Sequence, residues 1–77
     1  MEITEQMKEA ILAAIPDAVV EVQGAGGHFT VEVVSSVFAG KRIIQQHRIV
    51  LSSIAHLMKG LDAPVHAIDK LTTKLPS

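Results

Sequence analysis

The chain has 77 residues, enough for one small domain, and 48% of them are apolar. It contains no cysteine, tryptophan or tyrosine, which excludes a disulfide scaffold, a thiol catalyst and a cysteine-type zinc module, and disfavours a base-stacking platform. The net charge of −1 combines an acidic segment, residues 1–32, with a basic segment, residues 33–61, which carries four bases and no acid.

The N-terminal residues predict a cytoplasmic protein. Three glutamates, Glu2, Glu5 and Glu9, suit neither a secretory signal nor an arginine-rich transit peptide. The uncharged apolar stretches are far too short to span a bilayer, so we expect no membrane association.

The first half of the chain predicts a helix and a hairpin. Apolar residues recur at helical spacing from residue 3, and Pro16 with Asp17 is expected to end this helix. The segments "AVVEVQ" and "HFTVEVVS" alternate apolar and polar residues, which is typical of strands with one packed and one wet face. The "GAGG" between them, residues 24–27, predicts the connecting loop, with His28 hinged on it.

The second half predicts a long helix and a short strand. The helix is expected to follow a turn at Gly40 and to end near Gly60. His47 lies in the middle of its apolar arc, so we expect His47 to be buried and structural. "VHAIDKL", residues 65–71, predicts the third strand, which would carry His66, and residues 72–77 are expected to be a short tail.

Two sets of side chains divide the surface of the predicted second helix. The polar stripe contains Lys41, Gln45, Arg48, Ser52 and Lys59. The apolar arc contains Ile43, Ile44, Val50, Leu51, Ile54, Leu57, Met58 and Leu61. The cations either form a solvated face or meet an anionic partner.

The predicted order of elements is helix, strand, strand, helix, strand. It favours an α+β fold, a two-layer αββαβ sandwich with both helices on one face of a mixed three-stranded sheet and the second helix the longer. The crossover through the second helix makes the third strand parallel to a hairpin strand. We expect residues 1–77 to form a single domain.

The glycine loop does not fit a phosphate site. Rossmann and P-loop glycines open directly into a helix, whereas a strand is predicted after Gly27. The sequence also shows no local signature of a catalytic triad or acid–base pair, so we expect no enzyme. The four histidines, His28, His47, His56 and His66, include no pair at helical metal-ligand spacing. His28 and His66 are either structural residues or metal ligands, and on residue types alone the structural role is favoured.

One extended pattern resembles the BolA family of small stress-related proteins. It is "GHF…VVSSVFAGKRIIQQHRIV…LDAPVHAI", in which Phe38 and Gly40 precede the Gln46-His47-Arg48 run and His66 follows. The resemblance covers residues 5–71 and implies a KH-like (class II) αββαβ fold with Phe38 and Gly40 as structural residues. The family usually has a third helix after the last strand, where this chain has residues 72–77.

The resemblance also implies a partner and a cofactor. BolA-like proteins pair with monothiol glutaredoxins as heterodimers that bind or transfer a [2Fe–2S] cluster, to which glutaredoxin and glutathione each give a thiolate. On this sequence, the corresponding metal ligands are His66, held by a strand, and His28, on the loop. No cofactor is expected on the protein alone, which would be a monomer or weak homodimer.

Two alternatives stay open. The family is associated with transcription regulation, so Lys41, Arg42, Arg48 and Lys59 form a candidate surface for DNA as well as for a protein partner. The other alternative is an adaptor that binds glutaredoxin without metal.

Overall fold

The computed structural model describes residues 2–77 and has the predicted αββαβ order. Strand β1 pairs antiparallel with β2, and β2 pairs parallel with β3, so β2 is the central strand of a mixed sheet. This confirms the predicted α+β fold. The elements are α1 (Ile3–Ala14), β1 (Val19–Ala25), β2 (His28–Val34), α2 (Ile43–Ile54) and β3 (Ala67–Lys74).

The core lies between the two helices and one face of the sheet. Alternate residues of β2, Phe29, Val31 and Val33, are buried there, while the residues between them lie on the open face. Both phenylalanines of the chain are fully enclosed, Phe38 from the single 3₁₀ turn that precedes α2. The core contains Met7, Ile11, Ile15, Val20, Phe29, Val31, Val33, Phe38, Val50, Ile54 and Val65.

Helix α2 is shorter than predicted. It has 12 residues, the same length as α1, and after Ile54 the chain tightens into one 3₁₀ turn, Ala55–Leu57. The expectation of a longer second helix that continues to Gly60 is therefore wrong, because the chain turns back early and Val65 N–H bonds the Leu57 carbonyl. No helix within residues 2–77 has the length and apolar character needed to cross a bilayer.

The inward face of α2 is rotated from its predicted position. Val50 and Ile54 are fully buried, whereas Ile43 and Ile44 are 60% and 55% exposed. The apolar arc is wider than the strip that α1 and β3 cover, so its outer part stays in solvent. His47, at the predicted centre of the arc, is consequently partly rather than fully buried, and its structural role stays a prediction.

Strand β3 extends beyond its predicted end. It runs through residues 72–74, which the sequence assigned to a tail, and Thr73 is buried among them. The Thr73 hydroxyl lies 2.6 Å from Oε1 of Gln46, whose Nε2 in turn donates to the Lys41 carbonyl at 2.9 Å. The hydroxyl of this buried threonine is thus hydrogen-bonded to a glutamine 27 residues away in the chain.

Asp17 joins the α1–β1 turn to the end of β2. Its carboxylate accepts hydrogen bonds from the hydroxyls of Ser35 at 2.7 Å and Ser36 at 2.8 Å, and from the Ser36 backbone N–H at 3.2 Å. These donors, led by the Ser35 hydroxyl, hold the pKa of Asp17 below its ordinary value. The carboxylate therefore stabilises the start of the 3₁₀ turn that carries Phe38.

Candidate functional site

The hairpin turn is tighter than the predicted glycine loop. Gly24 and Ala25 belong to β1, and Ala25 pairs with His28 across a turn of only two residues. Gly26 and Gly27 have φ values of 64° and 83°, the left-handed backbone that a two-residue type I′ hairpin requires at both central positions. His28 is consequently the first residue of β2, and the prediction that it lies on a flexible loop is wrong.

His66 is fixed by Gly27. The Gly27 carbonyl accepts hydrogen bonds from the backbone N–H groups of His66, at 2.8 Å, and Ala67, at 3.0 Å. The His66 ring lies against the Gly27 Cα, in space that a β-carbon would fill. His66 is exposed and precedes β3. We predicted that the strand would hold it, whereas the residue is held by the turn beside the strand.

His28 has a carboxylate partner. Its Nδ1 lies 3.1 Å from Oδ1 of Asp69, and the two side chains are 60% and 58% exposed. Asp69 lies at an irregularity of β3, because Phe29 pairs with Ile68 but the next residue, Thr30, pairs with Lys70. The extra residue places Asp69 beside His28 on the open side of the sheet.

The backbone brings His28 and His66 together at one end of the sheet. His28 pairs with Ala67, the residue that follows His66. Since neighbouring strands are about 4.8 Å apart and consecutive Cα atoms 3.8 Å, the Cα atoms of the two histidines lie within about 9 Å of each other. Both residues are exposed, so two imidazoles are accessible at this end of the sheet.

The other two histidines lie elsewhere. His56 is exposed on the 3₁₀ turn after α2. His47 follows Gln46, whose side chain contacts Thr73 near the opposite end of β3. Thr73 pairs with Val33, five residues along β2 from His28, which is about 17 Å of strand. His47 is therefore not placed to share a small ligand with His28 and His66.

The four cations of the basic segment are exposed but do not form a helical stripe. Only Arg48 lies within α2; Lys41 and Arg42 precede the helix and Lys59 follows it. Lys41 donates from Nζ to the Val37 carbonyl at 2.9 Å, which holds it at the N-terminal end of α2. The predicted stripe depended on a longer helix. The structure instead places three cations just before or within the first half of α2 and the fourth, Lys59, beyond its end.

Gly40 has the structural role that the sequence predicts. Its φ of 73° turns the chain between the 3₁₀ turn and α2, with open space around it.

Sequence patterns missed the residues that support the histidines. Gly27 was assigned only to the turn, although the His66 ring also packs against it. Asp69 was assigned only to a strand. Both contacts join segments far apart in the chain, about 40 residues in each case. The one local signal is the spacing of Asp69, three residues after His66, and it gives no indication of the irregularity in β3.

Within residues 2–77, no group of three or more histidine, cysteine, aspartate or glutamate side chains is placed to hold a metal ion. A metal ion held by the described residues would therefore need further donors from outside the chain.

Comparisons of sequence agree with this architecture. The family model described as BolA-like protein matches residues 4–77. A bolA-like protein of Caenorhabditis elegans is 39% identical over 80% of this chain, and the match covers 64% of that relative's length. Protein BOLA2 of Arabidopsis thaliana is 36% identical over 79% of this chain and 71% of its own length.

Solved structures share the fold over almost the full length. BolA1 from Arabidopsis thaliana superposes with a TM-score of 0.81 at 22% identity and covers 99% of this chain and 94% of its own. A bolA homologue from Coxiella burnetii superposes with a TM-score of 0.78 at 26% identity, with the same coverage of 99% and 94%. With the family match over nearly all of the sequence, the chain belongs to the BolA family.

Proposed function

We propose that this protein is a partner of a monothiol glutaredoxin and contributes His28 and His66 as ligands to a shared [2Fe–2S] cluster. The observation that supports this proposal best is the placement of these two exposed histidines at one end of the sheet, around Gly27. The glutaredoxin partner is inferred from the family to which the chain belongs. We propose that the two proteins meet in the cytoplasm.

The donor set fits half of such a site. A [2Fe–2S] cluster is held by four ligands, and two histidines replace two thiolates on one iron in Rieske centres. This chain has no cysteine and no local group of three metal donors within residues 2–77, so two imidazoles are its natural contribution. Under the proposal, the remaining two thiolates come from the glutaredoxin and from glutathione.

The properties of imidazole favour transfer over storage. Neutral imidazole binds metal, whereas the protonated ring does not, and histidine titrates near neutral pH. A half-site made of two neutral imidazoles would also hold its share of the cluster less firmly than two charged thiolates would. Their exposure allows a second protein to reach them directly. The role proposed is non-catalytic: it binds and passes on the cluster.

Anaerobic mixing with a cluster-loaded monothiol glutaredoxin tests the proposal. We expect the visible absorption and circular dichroism of the cluster to change on addition of wild-type protein and to stay unchanged with the His28→Ala/His66→Ala double variant. A wild-type mixture whose spectra equal the sum of its components would refute the proposal.

A nucleic-acid-binding function is the second candidate, supported by the exposed cations Lys41, Arg42 and Arg48 around the start of α2. No carboxylate occurs in residues 33–61 to neutralise them. Binding through phosphate contacts weakens steeply as salt is added, with a slope set by the number of contacts. Titration of duplex DNA at several salt concentrations therefore separates this candidate from metal ligation, which we expect to depend far less on salt.

A further inference from the structure

Asp69 occupies a β-bulge next to the candidate site. It lies between Ile68 and Lys70, which pair with the consecutive residues Phe29 and Thr30, so it has no paired residue on β2. Bulges interrupt the strict alternation of a strand and redirect a side chain, and they are frequent near functional sites. Here the redirected side chain reaches back to His28, with 3.1 Å between Oδ1 and Nδ1.

This contact has a consequence for the chemistry of the ring. A neutral imidazole carries its proton on one nitrogen and a lone pair on the other. A carboxylate beside Nδ1 favours the tautomer with the proton on Nδ1, which leaves Nε2 free to bind metal. We propose that Asp69 is a positioning residue that holds His28 in the Nδ1–H tautomer and presents Nε2 to the metal of a partner-held cluster. The presentation of Nε2 to a metal rests on the proposed function, whereas the tautomer of His28 is a property of this chain alone.

Stability does not account for the contact. Both side chains are more than half exposed, and pairs of this kind contribute little to folding. Carboxylates that accept from the second nitrogen of a metal-bound histidine, in contrast, orient the ring and increase its basicity as a ligand. His66 needs no such partner because its ring already lies against Gly27. The two histidines are thus held by different means, one by a carboxylate and the other by packing.

The first experiment uses the free protein. Long-range ¹H–¹⁵N spectra at about pH 8.5, well above the ordinary histidine pKa of about 6.5, report which nitrogen of His28 is protonated. We expect the Nδ1–H form to dominate in wild type and to be lost in Asp69→Ala. Asp62→Ala is the matched control, since it removes the same exposed charge from the turn after α2. If Asp69→Ala does not fold, Asp69→Asn, which keeps an acceptor oxygen without the charge, should show a weakened preference.

The second experiment titrates cluster-loaded glutaredoxin with each variant and follows visible circular dichroism. Loss of a carboxylate that supports a metal-bound histidine weakens metal binding by about 10–100-fold, and we expect about 10-fold for Asp69→Ala because the pair is exposed. An unchanged His28 tautomer in both Asp69 variants overturns the inference. A changed tautomer with wild-type affinity also overturns it, since the ring orientation would then not matter to the metal. A failure of wild type to alter the cluster spectrum would instead overturn the proposed function and leave the tautomer result valid.

Discussion

The His66 ring lies directly over Gly27, so that a β-carbon at residue 27 would overlap its Cδ2 and lie 2.9 Å from its Cγ. The same glycine bends the hairpin with a φ of 83° and accepts two hydrogen bonds from the start of the third strand. One residue without a side chain therefore closes the turn, attaches β3 to it and makes room for a candidate ligand.

Gly27→Ala should destabilise the protein and displace His66. The left-handed backbone costs a residue with a β-carbon about 1–2 kcal/mol, and the overlap with the ring adds to this cost. Gly26→Ala is the matched control, because Gly26 has a φ of 64° but no atom within 4 Å of an added β-carbon. Urea denaturation should rank the variants wild type, Gly26→Ala, Gly27→Ala in decreasing stability.

A double-mutant cycle isolates the contact between Gly27 and His66. If the ring is what the new β-carbon meets, His66→Ala should relieve part of the cost of Gly27→Ala, and the two effects should not add. Additive changes in the free energy of unfolding would mean that the ring simply moves aside.

Asp17 should make stability fall in acid. Its pKa is lowered from 3.8 in the folded state by hydrogen bonds from Ser35 and Ser36, so its contribution is complete above about pH 4 and is lost as the pH falls through the lower folded value. Asp17→Asn should therefore lower the urea midpoint at pH 7 and flatten its decline below pH 4. Asp62→Asn, which removes an exposed carboxylate, should leave both unchanged. Parallel pH profiles for Asp17→Asn and wild type would contradict this assignment.

The fold was predictable because local patterns and tertiary packing agree over most of the chain. Alternation in β1 and β2 matched the buried face of the sheet, and the helical periodicity of α1 matched the burial of Met7 and Ile11. Prediction failed in α2, because apolar residues occupy a wider arc of the helix surface than the part that packs against the core. It failed again at Thr73, a buried polar residue whose hydroxyl bonds the distant Gln46.

The candidate site was predictable only in part. The absence of cysteine and the family pattern single out His28 and His66, and the backbone of the two residues lies at the same end of the sheet. How each is held could not be inferred, because the bulge at Asp69 and the fit of His66 over Gly27 arise from pairing between distant segments. Sequence periodicity carries no information on either the bulge or this packing.

His47→Ala should have a smaller effect on stability than Phe38→Ala. His47 is partly buried, so we expect a loss of roughly 1–3 kcal/mol. Phe38 is 1% exposed, and its truncation should cost about 3–5 kcal/mol. Thermal denaturation of the two variants checks this; a His47→Ala variant that melts like wild type would contradict a structural role for this residue.

Reversing charge around the start of α2 should slow association with an anionic partner. Arg42 and Arg48 are exposed, and mutation of such peripheral charges acts mainly on the association rate and its salt dependence. We expect Arg42→Glu/Arg48→Glu to associate more slowly with glutaredoxin or DNA in stopped-flow measurements at low salt. Lys59→Glu is the comparison variant, since Lys59 lies beyond the other end of the helix. An equal change in its association rate would indicate general electrostatic attraction rather than binding at a local surface.

His66→Ala should abolish the spectral change that wild type produces on mixing with cluster-loaded glutaredoxin, whereas His28→Ala should only weaken or alter it. The reason lies in how firmly each ring is held. The backbone N–H of His66 bonds Gly27 at 2.8 Å and its ring rests on that glycine, so its position is set before a partner arrives. The orientation of His28 depends on one exposed contact with Asp69, which makes this ligand the more replaceable of the two. His56→Ala, which removes an exposed imidazole from a turn of the other layer, controls for the loss of a histidine as such. The two apo-proteins should still associate in both site variants, since most of the surface is unchanged. A wild-type spectrum with His66→Ala would exclude His66 as a ligand and would leave the exposed cations Lys41, Arg42 and Arg48 as the better-supported functional surface.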